Sequence, residues 1–140
     1  MSAKDHPNHT ADAPMVVPPW LERIQIKYMN PVIRPLARRL PTFGIVKHRG
    51  RKSGTPYEAI VSPYRKGDVL AIGLIHGKTN WVKNVLAAGE ADVHLFRGDV
   101  HIVNPRVLPV GSIGEEADRL PRMAKAGLKR TGVFVADIAP

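Results

Sequence analysis

Residues 57–75 read YEAIVSPYRKGDVLAIGLI. Two apolar runs flank Arg65-Lys66-Gly67-Asp68, a compact turn in which glycine supplies backbone angles that other residues avoid. The second run, 69–75, is almost continuously apolar, the pattern of a strand buried on both faces. The first, 57–64, contains Pro63, which has no amide to donate and therefore marks an edge or a bulge. Upstream, FGIVKHR (43–49) is β-rich and alternates in polarity near its end. Three strands with such short connections predict an antiparallel meander, because parallel neighbours need a crossover of about a dozen residues or more.

Towards the C-terminus the period changes. TNWVKNVLAAG (79–89) places Trp81, Val82, Val85 and Leu86 on one helical face, with Thr79 or Asn80 to cap the start and Gly89 to stop it. ADVHLFR (91–97) and DVHIVNP (99–105) predict a hairpin with its tight turn at Arg97-Gly98-Asp99. Ser112-Ile113-Gly114-Glu115 matches a capping box that opens a helix running towards Lys129-Arg130, divided by Pro121 and stopped at Gly132. GVFVADIA (132–139) is a last strand. Short antiparallel strands with one or two inserted helices give an α+β fold, a small closed or split β-barrel rather than a parallel α/β sheet.

Towards the N-terminus, Pro18-Pro19 suits a helix start, and Trp20, Leu21, Ile24 and Tyr28 share a face before Pro31 and Pro35 interrupt the pattern. Residues 1–18 are polar and Pro/His-rich and predict a disordered leader, leaving 19–140 as a single domain. The segment VIRPLARRL (32–40) is amphipathic and basic, either a packed surface helix or a lid or peripheral membrane contact. No apolar run is long enough to span a bilayer, and the chain has no cysteine, so disulfide and thiol chemistry are excluded and a cytoplasmic setting is expected.

The net charge of +9 is unevenly placed. Residues 1–56 hold ten Lys/Arg against three Asp/Glu, and no acid lies between Arg23 and Tyr57. Within that half, KHRGRKSGTPY (47–57) crowds Lys47, Arg49, Arg51 and Lys52 around Gly50 and Gly54. Such a turn is either a solvated hairpin or an anion grip, in which amides, Arg51, Lys52 and the Ser53 hydroxyl meet phosphate oxygens. It is no P-loop, since that motif needs glycine directly before the lysine and here Arg51 stands there. A second cationic place is the start of the 79–88 helix, where Lys78 and Lys83 sit with no acid to balance them. The helix dipole disfavours cations there unless an anion is bound.

Other chemistries find less support. Among the six histidines, His94 and His101, expected to face each other across the hairpin, lack a third ligand, so no metal is expected. Nothing marks a nucleophile–histidine–acid triad. A nucleic-acid-binding basic barrel would interleave aromatics with the charges, but only Tyr57 is near the basic turn.

Three stretches together, HRGRKSGTPYEAIVSPYRKGDVLAIGL, NWVKNVLAAG and FRGDVHIVNPRVL, resemble the deazaflavin-dependent nitroreductase family. MNPVIRPLARRLPTFGIV is similar to that family's first helix and strand, so the resemblance covers roughly residues 25–110. It implies a split β-barrel that uses coenzyme F420 as hydride carrier for a quinone, enone or nitroaromatic acceptor, with FMN as the alternative cofactor. Carried over by position, it puts Arg51, Lys52, Ser53 and Gly54 on the coenzyme's anionic tail. Trp81, Lys83 and Asn84 fall beside its phosphate, together with the Lys78 of the helix start, and Val61, Ser62 and Pro63 along the ring. Tyr64, His76 and Tyr28 are candidate proton donors. Two departures touch the acceptor rather than the coenzyme: the C-terminal tail has Phe134 and no tyrosine, and the HGKTN loop is short. The partner expected is a small-molecule electron acceptor, with no nucleic acid; both a monomer and a homodimer fit the sequence.

Overall fold

The computed structural model describes residues 43–140 together with Thr10, Ala11, Ala13 and Pro14. The expected N-terminal helix, with Tyr28, and nearly all of the leader lie outside the described residues. Among the described residues are seven strands and three helices. The strands are β1 (Gly44–Arg49), β2 (Pro56–Val61), β3 (Pro63–Lys66), β4 (Val69–Gly73), β5 (Glu90–Leu95), β6 (Gly98–Leu108) and β7 (Val133–Ile138). The helices are α1 (Asn80–Ala88), α2 (Glu115–Asp118) and α3 (Arg122–Gly127).

All pairings are antiparallel, in the order β2-β1-β5-β6-β7-β4-β3. The two outermost strands, β2 and β3, are separated in the chain by Ser62 alone. A sheet whose first and last strands are joined through one residue has to curl until they meet, and the result is the split barrel of the α+β class. The simple meander is thereby corrected. Residues 57–64 form no single strand; the run bends at Ser62, its first part pairing with β1 and its second with β4. Pro63 is the cause, since a residue without an amide ends one ladder and opens the next.

Alternation places the cores. Leu70, Ile72, Phe134 and Ala136 point to the barrel interior with Val46, Val61, Val93 and Ile102, where Val82 and Val85 of α1 close it. Ala13 belongs to the same buried cluster. The intervening Ala71, Val133 and Val135 face outward but are covered by Ala117, Leu120, Ala124 and Leu128 of α2, α3 and their flanks. Both faces of β4 and β7 are therefore dry, which is why their sequences are continuous apolar runs.

Local chemistry adjusts three expected boundaries. The β5–β6 turn is Phe96-Arg97, with Leu95 opposite Gly98, so His94 and His101 do not face each other. Instead each faces an aspartate, His94 opposite Asp99 and His101 opposite Asp92. The capping box does not form: the Ser112 hydroxyl donates to the Pro109 carbonyl at 2.6 Å, and Gly114 takes the N-cap of α2. Pro121 divides α2 from α3 as expected, but α3 ends at Gly127, short of Gly132. In β6, Asn104 and Pro105, between Val103 and Arg106, lie opposite the single Ala136 of β7, a bulge that Asn104 accommodates at φ +52° and where Pro105 has no amide to leave unpaired. No helix of the described residues is long and apolar enough to cross a membrane.

Candidate functional site

The basic turn joins β1 to β2. Two backbone bonds close it, Gly50 N–H to Thr55 O at 2.9 Å and Gly54 N–H to Gly50 O at 2.8 Å. Gly54 sits at φ +72°, a conformation that requires glycine, and a Cβ on Gly50 would lie 2.5 Å from Ser53 Oγ, so the serine hydroxyl would have to turn aside. Ser53 Oγ accepts from Thr55 N–H at 3.2 Å, and Arg49 Nη1 donates to Gly54 O at 3.2 Å. Arg51, Lys52, Ser53 and Gly54 all stand exposed.

One of them is anchored. Asn84 Oδ1 on α1 accepts from Arg51 N–H at 3.2 Å and from Arg51 Nη1 at 2.8 Å. Its Nδ2 lies 3.0 Å from His48 Nδ1, and the residue is only 4% exposed. His48 in turn stacks on Tyr57 of the neighbouring strand, ring centres 5.6 Å apart. Burial holds the His48 imidazole below its ordinary pKa. The sequence places Asn84 beside a ligand; the structure turns its amide to the protein's own turn.

α1 starts without a side-chain cap. Thr79 occupies the N-cap in extended geometry, no acid lies in the first turn, and its buried hydroxyl has no hydrogen-bond partner among the described residues. Lys78 and Lys83 flank this start, each half-buried. The helix then ends as expected, with Gly89 left-handed at φ +80° and its N–H on Val85 O.

A cavity of about 310 Å³ opens at the Ser62 bend, next to that helix start. Val61 and Ser62, expected at the ring, and Tyr64 and His76, expected as proton donors, line it, as does Trp81, expected beside the phosphate. Phe43, Ile60, Leu74 and Thr79 line it too and were not singled out. Pro63 stands behind this wall, its Cγ 2.9 Å from where a Cβ on Gly44 would be. Trp81 is both wall and core, for it meets the fully buried Phe134 edge-on at 5.0 Å. Phe134 is thus interior packing behind Trp81. Tyr28 lies outside the described residues.

A larger cleft, about 760 Å³, lies beyond the other end of α1, between His48, Tyr57, Asn84, Ala88, Asp92 and His101. Of the expected residues only Asn84 reaches it, and its charges are mixed. His101 Nδ1 meets Asp92 Oδ1 at 2.7 Å, and that hydrogen bond, ahead of the charges of Asp92 and Glu90, raises the histidine's pKa. His94 Nδ1 meets Asp99 at 2.6 Å. Among the described residues no group of three or more His, Asp or Glu is placed to hold a metal ion.

No family model and no curated protein matches the sequence. Among solved structures, one called F420 Reductase is similar with 17% identity and a TM-score of 0.45, over 74% of this chain and 91% of that one. An F420-H2 dependent reductase, FDR-A, is similar with 20% identity and a TM-score of 0.44, over 69% and 94%. HutZ, the heme storage protein from Vibrio cholerae, is similar with 8% identity and a TM-score of 0.43, over 79% and 88%. None of the three assigns this chain a ligand or a reaction.

Proposed function

We propose that this protein is an oxidoreductase that uses reduced coenzyme F420 to deliver hydride to a quinone, enone or nitroaromatic acceptor. The observation that carries this reading is the arrangement along α1. Trp81 walls an apolar cavity, and Asn84, about one helical turn or 5 Å further on, fastens the basic turn. A flat apolar ring with an anionic tail has that division of chemistry. The cavity lies at the lower end of the range of about 300–1,000 Å³ usual for small-molecule sites. The buried Thr79 hydroxyl, without a partner among the described residues, suits a ligand with a polar edge.

When bound, the reduced deazaflavin would supply the hydride. The chain's own residues would do the rest. Val61, Ile72, Leu74 and Trp81 exclude water from the ring's surroundings, and the backbone at Ser62 borders it. Arg51, Lys52 and the Ser53 O–H supply charge and a donor to the tail, while Lys78 and Lys83 add charge at the start of α1. Tyr64 and His76, which line the same cavity, would hold a proton for the acceptor.

A fluorescence titration with F420, repeated with FMN, tests the reading. Micromolar binding of FMN without binding of F420 would overturn it. Lys52→Ala combined with Ser53→Ala should weaken F420 binding by about tenfold or more, roughly 1.4 kcal/mol. Thermal stability should change by less than about 0.5 kcal/mol, because both residues are exposed in a turn.

A further inference from the structure

We propose that Asn84 positions the basic turn through a hydrogen-bond chain ending on the neutral imidazole of His48, so that a proton on His48 releases Arg51 and weakens the turn's grip. The last clause rests on the reading of the turn as an anion grip; the positioning of Arg51 does not.

The chain's direction follows from donors and acceptors. Two N–H groups of Arg51 converge on one end of the Asn84 amide, at 3.2 and 2.8 Å, so that end is the oxygen. The other end is the NH2 group, which only donates, and it lies 3.0 Å from His48 Nδ1. Nδ1 must therefore carry a lone pair, and the ring's proton must sit on Nε2. A protonated imidazole has N–H on both nitrogens. Nδ1–H would then oppose the Asn84 NH2, and a residue 4% exposed would lose the acceptor for one of its buried donors. The imidazolium would also face the Arg51 guanidinium across a single carboxamide.

The surroundings leave His48 poised for this. Tyr57 stacks on it from β2, Asn84 meets it from α1, and Lys47 and Arg49 flank it in β1. Glu58 of β2, Glu90 and Asp92 of β5 and His101 of β6 line the same cleft. Asp92 bonds to His101 at 2.7 Å and Glu90 lies 3.7 Å from it, so these two acids are directed to another histidine. Burial favours the neutral ring, in the direction the chain requires. The turn itself is closed by its own backbone bonds, so it moves as a unit when Arg51 lets go.

The test uses the full chain labelled with ¹⁵N. His48 ring nitrogens and the Arg51 backbone amide are followed from about pH 8 to about pH 5, the range in which histidine titrates. The expected result is the Nε2–H tautomer at high pH and an Arg51 amide whose shift and exchange rate follow the His48 midpoint. An Nδ1–H tautomer at high pH, or an Arg51 amide that ignores the titration, overturns the proposal. His48→Asn keeps an acceptor oxygen near the Nδ1 position without a titratable group, and should fix the amide in its high-pH state throughout. Asn84→Asp should invert the order. Its carboxylate accepts from Arg51 and from a protonated ring, so the His48 midpoint should rise by about a unit or more and Arg51 stay docked in acid. A midpoint that does not rise in this variant counts against the proposal; should the variant not fold, the wild-type and His48→Asn titrations decide alone.

The ligand arm compares F420 affinity at about pH 7.5 and 5.5 in wild type and His48→Asn, so that any titration of the ligand cancels. A drop at least threefold larger in wild type supports the release of the grip. Equal drops with an uncoupled Arg51 amide overturn that clause. Absence of F420 binding at both values sinks the functional reading and leaves the amide result to judge Asn84.

Discussion

Arg106 shows what one side chain does in this fold. It donates to Glu116 of α2, to Asp137 Oδ1 of β7 at 3.0 Å and to the Asn104 carbonyl in the β6 bulge at 2.9 Å. The bulge, the last strand and the covering helix thus meet on one guanidinium. Asp137 also accepts from Asn104 Nδ2 at 3.1 Å, and that bond first, then Arg106, holds its carboxyl below the ordinary value. A depressed carboxyl contributes stability that is present above its unfolded pKa of about 3.9 and is lost as pH falls through the folded one. Arg106→Met should lower stability by about 1–2 kcal/mol at neutral pH, the cost of losing charged hydrogen bonds at a half-buried site. Urea unfolding should show the gap to wild type narrowing at about pH 3 without closing, because the bond from Arg106 to the Asn104 carbonyl does not titrate. A gap of equal size at both values would mean that Arg106 contributes packing rather than pairing. None of this was visible in sequence, where the bulge reads as an ordinary strand end and the three partners are up to 31 positions away from Arg106.

Elements were legible where local chemistry decides them. α1 is the clearest case: the 3.6-residue period of Trp81, Val82, Val85 and Leu86 and the stop at Gly89 all hold. β4 and β7 were found by their continuous apolar runs, which require cover on both faces. The capping box failed because Ser112 had a nearer acceptor in Pro109, and motif spacing does not reveal that competition. The value of the Gly89 cap can be measured. A Cβ there would meet nothing within 4 Å, so the cost of a side chain is that of the left-handed backbone alone. Gly89→Ala should destabilise the protein by about 1 kcal/mol and Gly89→Asn by less, since asparagine tolerates this conformation better. Equal costs for the two, measured by thermal unfolding, would show that the helix end relaxes out of the left-handed form. The His48–Asn84–Arg51 chain is the opposite case, joining residues 33 and 36 positions apart that carry no mutual spacing signal.

At the scale of the molecule, the sheet is joined edge to edge by one bend, and the cavity lies at that bend. Composition and strand lengths sufficed to indicate a small antiparallel barrel, but the strand order was out of reach, because β1 pairs with β5 and β4 with β7 across long stretches of chain. Gly44 and Pro63 make the bend possible. Gly44 pairs with Val61, and a Cβ on it would come to 2.9 Å from Pro63 Cγ, 3.2 Å from the His94 carbonyl oxygen and 3.3 Å from a Leu95 methyl. The proline ring is stiff and the carbonyl is fixed in the β5 ladder, so neither can swing aside as a flexible side-chain end would. Gly44→Ala should therefore cost more than a strand propensity scale implies, about 1–3 kcal/mol of overpacking, where alanine would otherwise favour the strand over glycine. The strain should localise. Amide exchange should quicken at Val61 and Tyr64, on either side of the bend, while β6 and β7 keep their protection. Pro63→Ala in the same chain should recover part of the loss, because it removes the nearest atom. If Gly44→Ala is neutral, or if the double variant is no more stable than the single one, the two edges meet more loosely than this geometry has them. The cavity between Ser62 and Trp81 would then owe its shape to α1 rather than to the closed sheet.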